Sequence, residues 1–247
     1  MNTREISRIA VPLVIGAAIL VSFRFQKPRP PEQLQGGAPP APPAAQVQAA
    51  YRGALAPGAP GHDLGVRSAP VTVLEFADFG CPYCARFASA VYPQLAAEFV
   101  RTGIVRWRSV PFVLGIFQGG DGAARAAECA AEQGEARFAA MSDRLYAAQD
   151  AWTGASDQLP VFRSLAAAAG LDPARFAACY ASQAPRDRVQ AANDLADRMG
   201  VNATPTFFIN GQRIEGALPL QEFQQVIMDA LRHSGGAAPP QGGGGGR

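Results

Sequence analysis

The chain has 247 residues, room for one generous domain or two small ones, and carries a formal net charge of only +2 with 17% charged residues. That balance excludes the broad basic surface on which nucleic-acid binding depends. Four cysteines are too few for a disulfide-dense scaffold; two form a Cys-x-x-Cys at 81–84, and Cys129 and Cys179 stand apart as one possible staple. At the N-terminus, residues 9–23 form an uncharged apolar run behind Arg4 and Arg8, closed by Arg24, Gln26, Lys27 and Arg29. A spanning helix needs about 17–25 residues, so the run is short, but no small-residue cleavage pattern follows it. It is expected to be an uncleaved anchor within residues 1–27, with a cleaved signal peptide as the alternative. Basic residues on both flanks leave its orientation open.

The 26 glycines and 21 prolines crowd into residues 28–60 and 235–246. Residues 28–60 therefore read as a semi-extended Pro/Ala/Gly-rich linker, and residues 235–247 as a disordered tail. A folded domain is expected between them, over 61–234. The β-branched and apolar stretch Val71–Phe76 predicts a strand. Residues 82–101 carry Phe87, Val91, Leu95 and Phe99 at helical spacing, and Gly103 closes that helix. Ile104–Val110 alternates basic and apolar side chains and predicts a second strand. Several helices follow over 121–200, with Asp172-Pro173 opening one and Pro185 another. Thr206–Ile209, an Asn210-Gly211 turn and Gln212–Ile214 form a hairpin, and an amphipathic helix closes the pattern over 219–232. The order is α/β, with an all-helical insertion over about 115–200 capping one end of the sheet.

Cys81-Pro82-Tyr83-Cys84 falls where the first strand gives way to a helix. Proline at the first helical position starts that helix directly after Cys81. The Cys81 sulfur then faces the unpaired N–H groups and positive dipole end of the helix, which favour a thiolate. Cys84 follows one turn later, within reach of a mixed disulfide on Cys81. Stabilising the reduced form by about 2 kcal/mol makes such a disulfide about 45 mV more oxidising and improves Cys81 as a leaving group. Half a zinc site and a static disulfide are the other uses of a Cys-x-x-Cys. No histidine at ligand spacing accompanies this one. Glu75 lies in the strand leading to Cys81; turned under the cysteines it would shuttle the Cys84 proton, and turned outward it is an ordinary strand glutamate.

Together, Glu75-Phe-Ala-Asp-Phe-Gly-Cys81-Pro-Tyr-Cys84 and Val201-Asn-Ala-Thr204-Pro205-Thr206-Phe-Phe-Ile-Asn-Gly211 resemble the DsbA-like thioredoxin-fold thiol–disulfide oxidoreductases over residues 62–232. The resemblance implies a thioredoxin fold interrupted by a helical insertion. It makes Cys81 the attacking cysteine, Cys84 the resolving one and Glu75 the buried acid. Pro205 would be a cis-proline facing the pair, and Thr204 would offer backbone groups to a bound peptide beside Pro82 and Tyr83. Relatives with two cysteines placed like Cys129 and Cys179 often join them. That bridge would stabilise by about 4 kcal/mol at most and would set the domain on the periplasmic or other extracytoplasmic side of an inner-membrane anchor.

Two departures bear on the direction of the reaction. The residues between the cysteines are Pro-Tyr rather than Pro-His, and the residue before Pro205 is threonine, commoner among isomerase and reductase relatives. Residues 28–60 show no patterned segment able to build the dimerisation domain of such isomerases. The expected function is therefore donation of disulfides to reduced, cysteine-containing proteins, followed by reoxidation by a quinone-linked membrane protein. The expected state is a monomer without cofactor or metal, held to the membrane through residues 9–23. A reductase or isomerase of the same fold is the alternative, and a metal-binding or peptide-binding module the alternative from another class. Trp107, Trp152, Phe207 and Phe208 read as core or rim, His62 and His233 have no assigned role, and the Arg/Glu-rich insert helices read as solvated faces.

Overall fold

The computed structural model describes residues 41–234; the apolar run at 9–23 and the glycine-rich tail lie outside the described residues. Among the described residues, no helix is long and apolar enough to cross a membrane. A five-stranded sheet has the order β1-β3-β2-β4-β5, formed by β1 (His62–Leu64), β2 (Val71–Ala77), β3 (Val105–Pro111), β4 (Thr206–Ile209) and β5 (Gln212–Glu215). β2 lies at the centre, parallel to β3 and antiparallel to β4. Strands covered on both faces read as nearly continuous apolar runs, and Val71-Thr-Val-Leu-Glu-Phe-Ala77 is one.

Each face of the sheet has its own core. Val73, Trp107 and Phe207 pack against Phe87, Phe99, Phe223 and Ile227, which lie on the helices after β2 and on α10 (Leu220–Ser234). On the opposite face Leu74, Phe76 and Phe208 meet Tyr51, Leu195 and Met199. Between β3 and β4 the insertion supplies α4 (Gly120–Ala131), α5 (Glu135–Ala147), α6 (Gln149–Thr153), α7 (Leu159–Ala168), α8 (Pro173–Ala181) and α9 (Ala184–Arg198). Its third core holds Phe138, Trp152, Phe162 and Phe176. Within it Cys129 and Cys179 are joined, with an S–S distance of 2.01 Å.

Three sequence expectations are corrected. The linker expected over 28–60 is folded in its second half: α1 (Ala44–Ala54) buries Tyr51 and Ala54 on the chain's own sheet. The stripe responsible is Val47, Ala50, Tyr51 and Ala54, a helical period hidden in alanine-rich composition. The helix expected over 82–101 breaks into α2 (Pro82–Ala90), α3 (Tyr92–Leu95) and a π-helical turn at Ala96–Val100. Pro93 has no N–H to offer the Ser89 carbonyl, and its ring crowds that turn. On β3, Arg106 and Arg108 are buried and share the carboxylate of Asp63 on β1 at 2.8 and 2.9 Å. Finally, Glu128 of the insert is buried rather than solvated, bonded to His62 and Arg188 at 3.0 and 2.9 Å.

Candidate active site

β2 ends at Ala77 and α2 begins at Pro82, so the chain turns between them within four residues. The Cys81 N–H closes this turn on the Asp78 carbonyl at 3.0 Å, and the Ala85 N–H donates to the Cys81 carbonyl at 3.1 Å. Cys81 is the extended N-cap of α2, with Pro82 as the first helical residue. The buried Asp78 carboxylate braces the turn, accepting the N–H of Gly80 at 2.8 Å and that of Leu114 at 2.9 Å. A Cβ on Gly120 would stand 2.5 Å from an Asp78 oxygen, so this approach requires glycine.

The register brings the second motif to the first. Thr206 at the start of β4 pairs with Phe76 near the end of β2, so the residues before β4 lie beside those after β2. The Thr204–Pro205 peptide is cis. The Cys81 Sγ donates to the Thr204 carbonyl at 3.4 Å. The Thr204 hydroxyl is buried without a partner, and donation to a Cys81 thiolate would satisfy it. Cys81 and Cys84 are unbonded and buried, at 1% and 2% exposure, with Phe117 and Tyr146 packed against them. Pro82 and Tyr83 are exposed over the turn, and the Arg86 guanidinium lies 5.6 Å from the Tyr83 ring centre.

Electrostatics separate the two sulfurs. A hydrogen bond from Cys84 lowers Cys81 most; burial opposes it, and Thr204 and the N–H groups of Cys84 and Tyr83 add to it, giving a pKa of about 6. Burial first, then the Cys81 and Glu75 charges, push the Cys84 thiol far up. Glu75 lies between its strand partners Ser109 and Phe207, and accepts the Trp107 indole N–H at 2.8 Å. Burial raises it to about 7 against hydrogen bonds from Trp107 and Ser109. Glu75 is nonetheless only partly enclosed, because a cavity of about 80 Å³ reaches it between Tyr92, Ser142, Asp143 and Tyr146. That volume admits water. A groove of about 590 Å³ along Asp63, Arg67, Arg101 and Glu135 includes neither free cysteine.

The structure therefore gathers Glu75, Cys81, Pro82, Tyr83, Cys84, Thr204 and Pro205 at one end of the sheet, while Cys129 and Cys179 remain within the insert. Sequence reasoning missed Asp78, Trp107 as a hydrogen-bond donor, and Gln149 of α6. The Gln149 Nε2 donates to the carbonyls of Phe79 and Cys81 at 2.6 and 3.1 Å. Asp78, placed just before the turn, had a local signal as a turn-forming residue. Gln149 had none, since only packing of the insert carries it there. Among the described residues, no group of three or more His, Cys, Asp or Glu side chains could hold a metal ion.

A family model described as Thioredoxin matches residues 59–229. The chain is 38% identical over 180 residues to a Na(+)/H(+) antiporter NhaA 3 of Salinispora tropica, covering 71% of this chain and 26% of that protein. It thus spans about a quarter of the length of the curated relatives it matches. Among solved structures, oxidised BdbD of Bacillus subtilis superimposes with a TM-score of 0.64 at 26% identity, over 70% of this chain and 93% of that one. DsbA of Chlamydia trachomatis gives 0.62 at 25% identity, over 74% and 95%. With the family match running through both cysteine-bearing parts of the domain, the chain belongs to the DsbA-like thioredoxin-fold family of thiol–disulfide oxidoreductases.

Proposed function

We propose that the protein donates the Cys81–Cys84 disulfide to reduced proteins outside the cytoplasm. The observation that carries this reading is the asymmetry of the pair: Cys81 caps α2 opposite cis-Pro205 with a pKa near 6, while Cys84 is held neutral one turn behind it. At pH 7 the fall of Cys81 from about 9 to about 6 favours the reduced form by about 1.4 kcal/mol, equivalent to about 30 mV. The pair is thereby made more willing to accept electrons.

A substrate thiolate attacks the Cys81 sulfur of the oxidised pair, forming a mixed disulfide as the Cys81–Cys84 bond breaks. The leaving Cys84 thiolate takes a proton from Glu75, which a pKa near 7 keeps half protonated. A second substrate thiolate attacks the substrate sulfur of the mixed disulfide and releases Cys81 as a stabilised thiolate. Two electrons have passed from the substrate dithiol to the pair. Return to the disulfide requires an external disulfide oxidant, for which a membrane redox protein is the proposed class. Cys81 is 1% exposed, so the side chains over it must yield to an incoming chain. Thr204 and Pro205 would meet that chain, with exposed Tyr83 at its edge.

The Cys129–Cys179 bridge supports an extracytoplasmic site, since such bonds persist in oxidising compartments. Anchoring through residues 9–23 and a monomeric state are part of the same proposal. Oxidation of a reduced dithiol peptide by the disulfide form tests the reading. Cys81→Ala is expected to abolish turnover, and Cys84→Ala, which cannot form the internal disulfide, to accumulate a mixed disulfide through Cys81 when offered a disulfide-bonded peptide. Full peptide oxidation by Cys81→Ala would overturn it.

A further inference from the structure

The active-site turn is held on one side by Asp78 and on the other by a residue of the insert. The Phe79 carbonyl receives no hydrogen bond among the described residues except from Gln149, at 2.6 Å. The Cys81 carbonyl, already bonded to the Ala85 N–H, accepts a second bond from the same amide at 3.1 Å. Both oxygens sit within two residues of the reactive sulfur. We propose that Gln149 is a positioning residue: its amide neutralises the two carbonyls flanking Cys81, and so sets the balance between the dithiol and disulfide forms of the pair.

The support under Gln149 is rigid. It opens α6, which is pinned by the fully buried Trp152, whose indole N–H donates to the Leu145 carbonyl at 2.9 Å. One turn earlier Tyr146 packs on Phe79 with ring centres 4.8 Å apart, so the insert touches this turn twice. A side chain held this way delivers its donors at fixed geometry, without reorganisation when charge appears on the sulfur. Remove the amide, and the Cys81 oxygen keeps only the Ala85 N–H while the Phe79 oxygen is left uncompensated, so more negative charge remains near the thiolate. The Phe79 oxygen also loses its partner, so the turn that aims the Tyr83 and Cys84 N–H groups at the sulfur relaxes. Both consequences disfavour the thiolate and the reduced pair.

This inference rests on the redox reading above and is separable from it. The test uses the full chain in three forms: wild type, Gln149→Met, which keeps volume without donors, and Gln149→Lys, which restores donors and adds a charge. The ultraviolet thiolate absorbance of Cys81 is titrated, and each form is equilibrated with glutathione. Gln149→Met is expected to raise the Cys81 pKa by about half a unit to one unit and to shift the glutathione equilibrium about 3–10-fold toward the disulfide. Gln149→Lys is expected to leave that pKa at or below the wild-type value. A purely structural role would lower stability without moving the titration. If Gln149→Met folds and both readouts match wild type, the proposal is wrong. If it does not fold, Gln149→Lys decides: a Cys81 pKa above wild type overturns the proposal. A wild-type pair that does not exchange with glutathione at all would instead remove the redox reading itself.

Discussion

For a Cys81 thiolate, donors are available from four places: the Cys84 thiol, the Thr204 hydroxyl, and the N–H groups of Tyr83 and Cys84. They outweigh burial there, whereas the Trp107 and Ser109 donors do not outweigh it at Glu75, and burial wins. The folded-state pKa of Glu75 stands at about 7 against an ordinary 4.5. With the folded value raised, the fold's preference for the protonated acid is fully expressed below about pH 4.5 and is lost as pH rises through about 7. The difference amounts to about 3 kcal/mol. In the reduced protein, Glu75→Gln is therefore expected to match wild type near pH 4.5 and to exceed it by up to about 3 kcal/mol at pH 8. Urea midpoints measured across that range provide the check. Parallel profiles for the two proteins would mean that the carboxyl titrates as an ordinary glutamate.

At the scale of elements, the break after α2 shows local chemistry overriding periodicity. Phe87, Leu95 and Phe99 all reach the same core, as a continuous helix would have placed them, although Pro93 interrupts the backbone between them. β1 has only three residues, too few for any alternation to be read, and yet its Asp63 accounts for two buried arginines of β3. Burial alone would raise the Asp63 carboxyl, but the two guanidinium groups hold it below its usual range. In the insert, the 129–179 bridge ties α4 to α8 across 50 residues of sequence. Chain entropy puts its effect at about 4 kcal/mol, and measured bridges usually fall lower. The double variant Cys129→Ala/Cys179→Ala is expected to lose about 2–4 kcal/mol in denaturant unfolding, while the Cys81 titration stays in place. A shift of that titration would give the bridge a part in the chemistry.

The molecule as a whole is a sheet with a separate core on each face and a third core inside the insert. The face under α1 depends on residues before the expected start of the domain. Tyr51 is 7% exposed and tilts over Phe208 at 6.4 Å between ring centres. Tyr51→Ala is expected to cost about 3–5 kcal/mol, in the range of other buried aromatic truncations. Removing residues 1–60 should expose the same face and lower the melting temperature by more. A melting temperature unchanged by that truncation would return this stretch to the status of a spacer.

The sequence by itself determined four of the five strands, the hairpin, the helical insertion and the identity of the cysteine pair, because each rests on local periods, turn residues or a helix start. It also marked Thr204 and Pro205, through resemblance rather than through any rule of spacing. Tertiary structure decided what surrounds them. Whether Glu75 faces water or a cavity depends on β2 lying between β3 and β4 with the insert closing over one end. Whether the arginines of β3 are wet depends on a three-residue strand arriving beside them. Gln149 meets the Cys81 turn across 68 residues of sequence, a distance only a folded insert closes. Burial and long-range hydrogen bonds are properties of the packed chain, and they set the charges on which the chemistry of the pair depends.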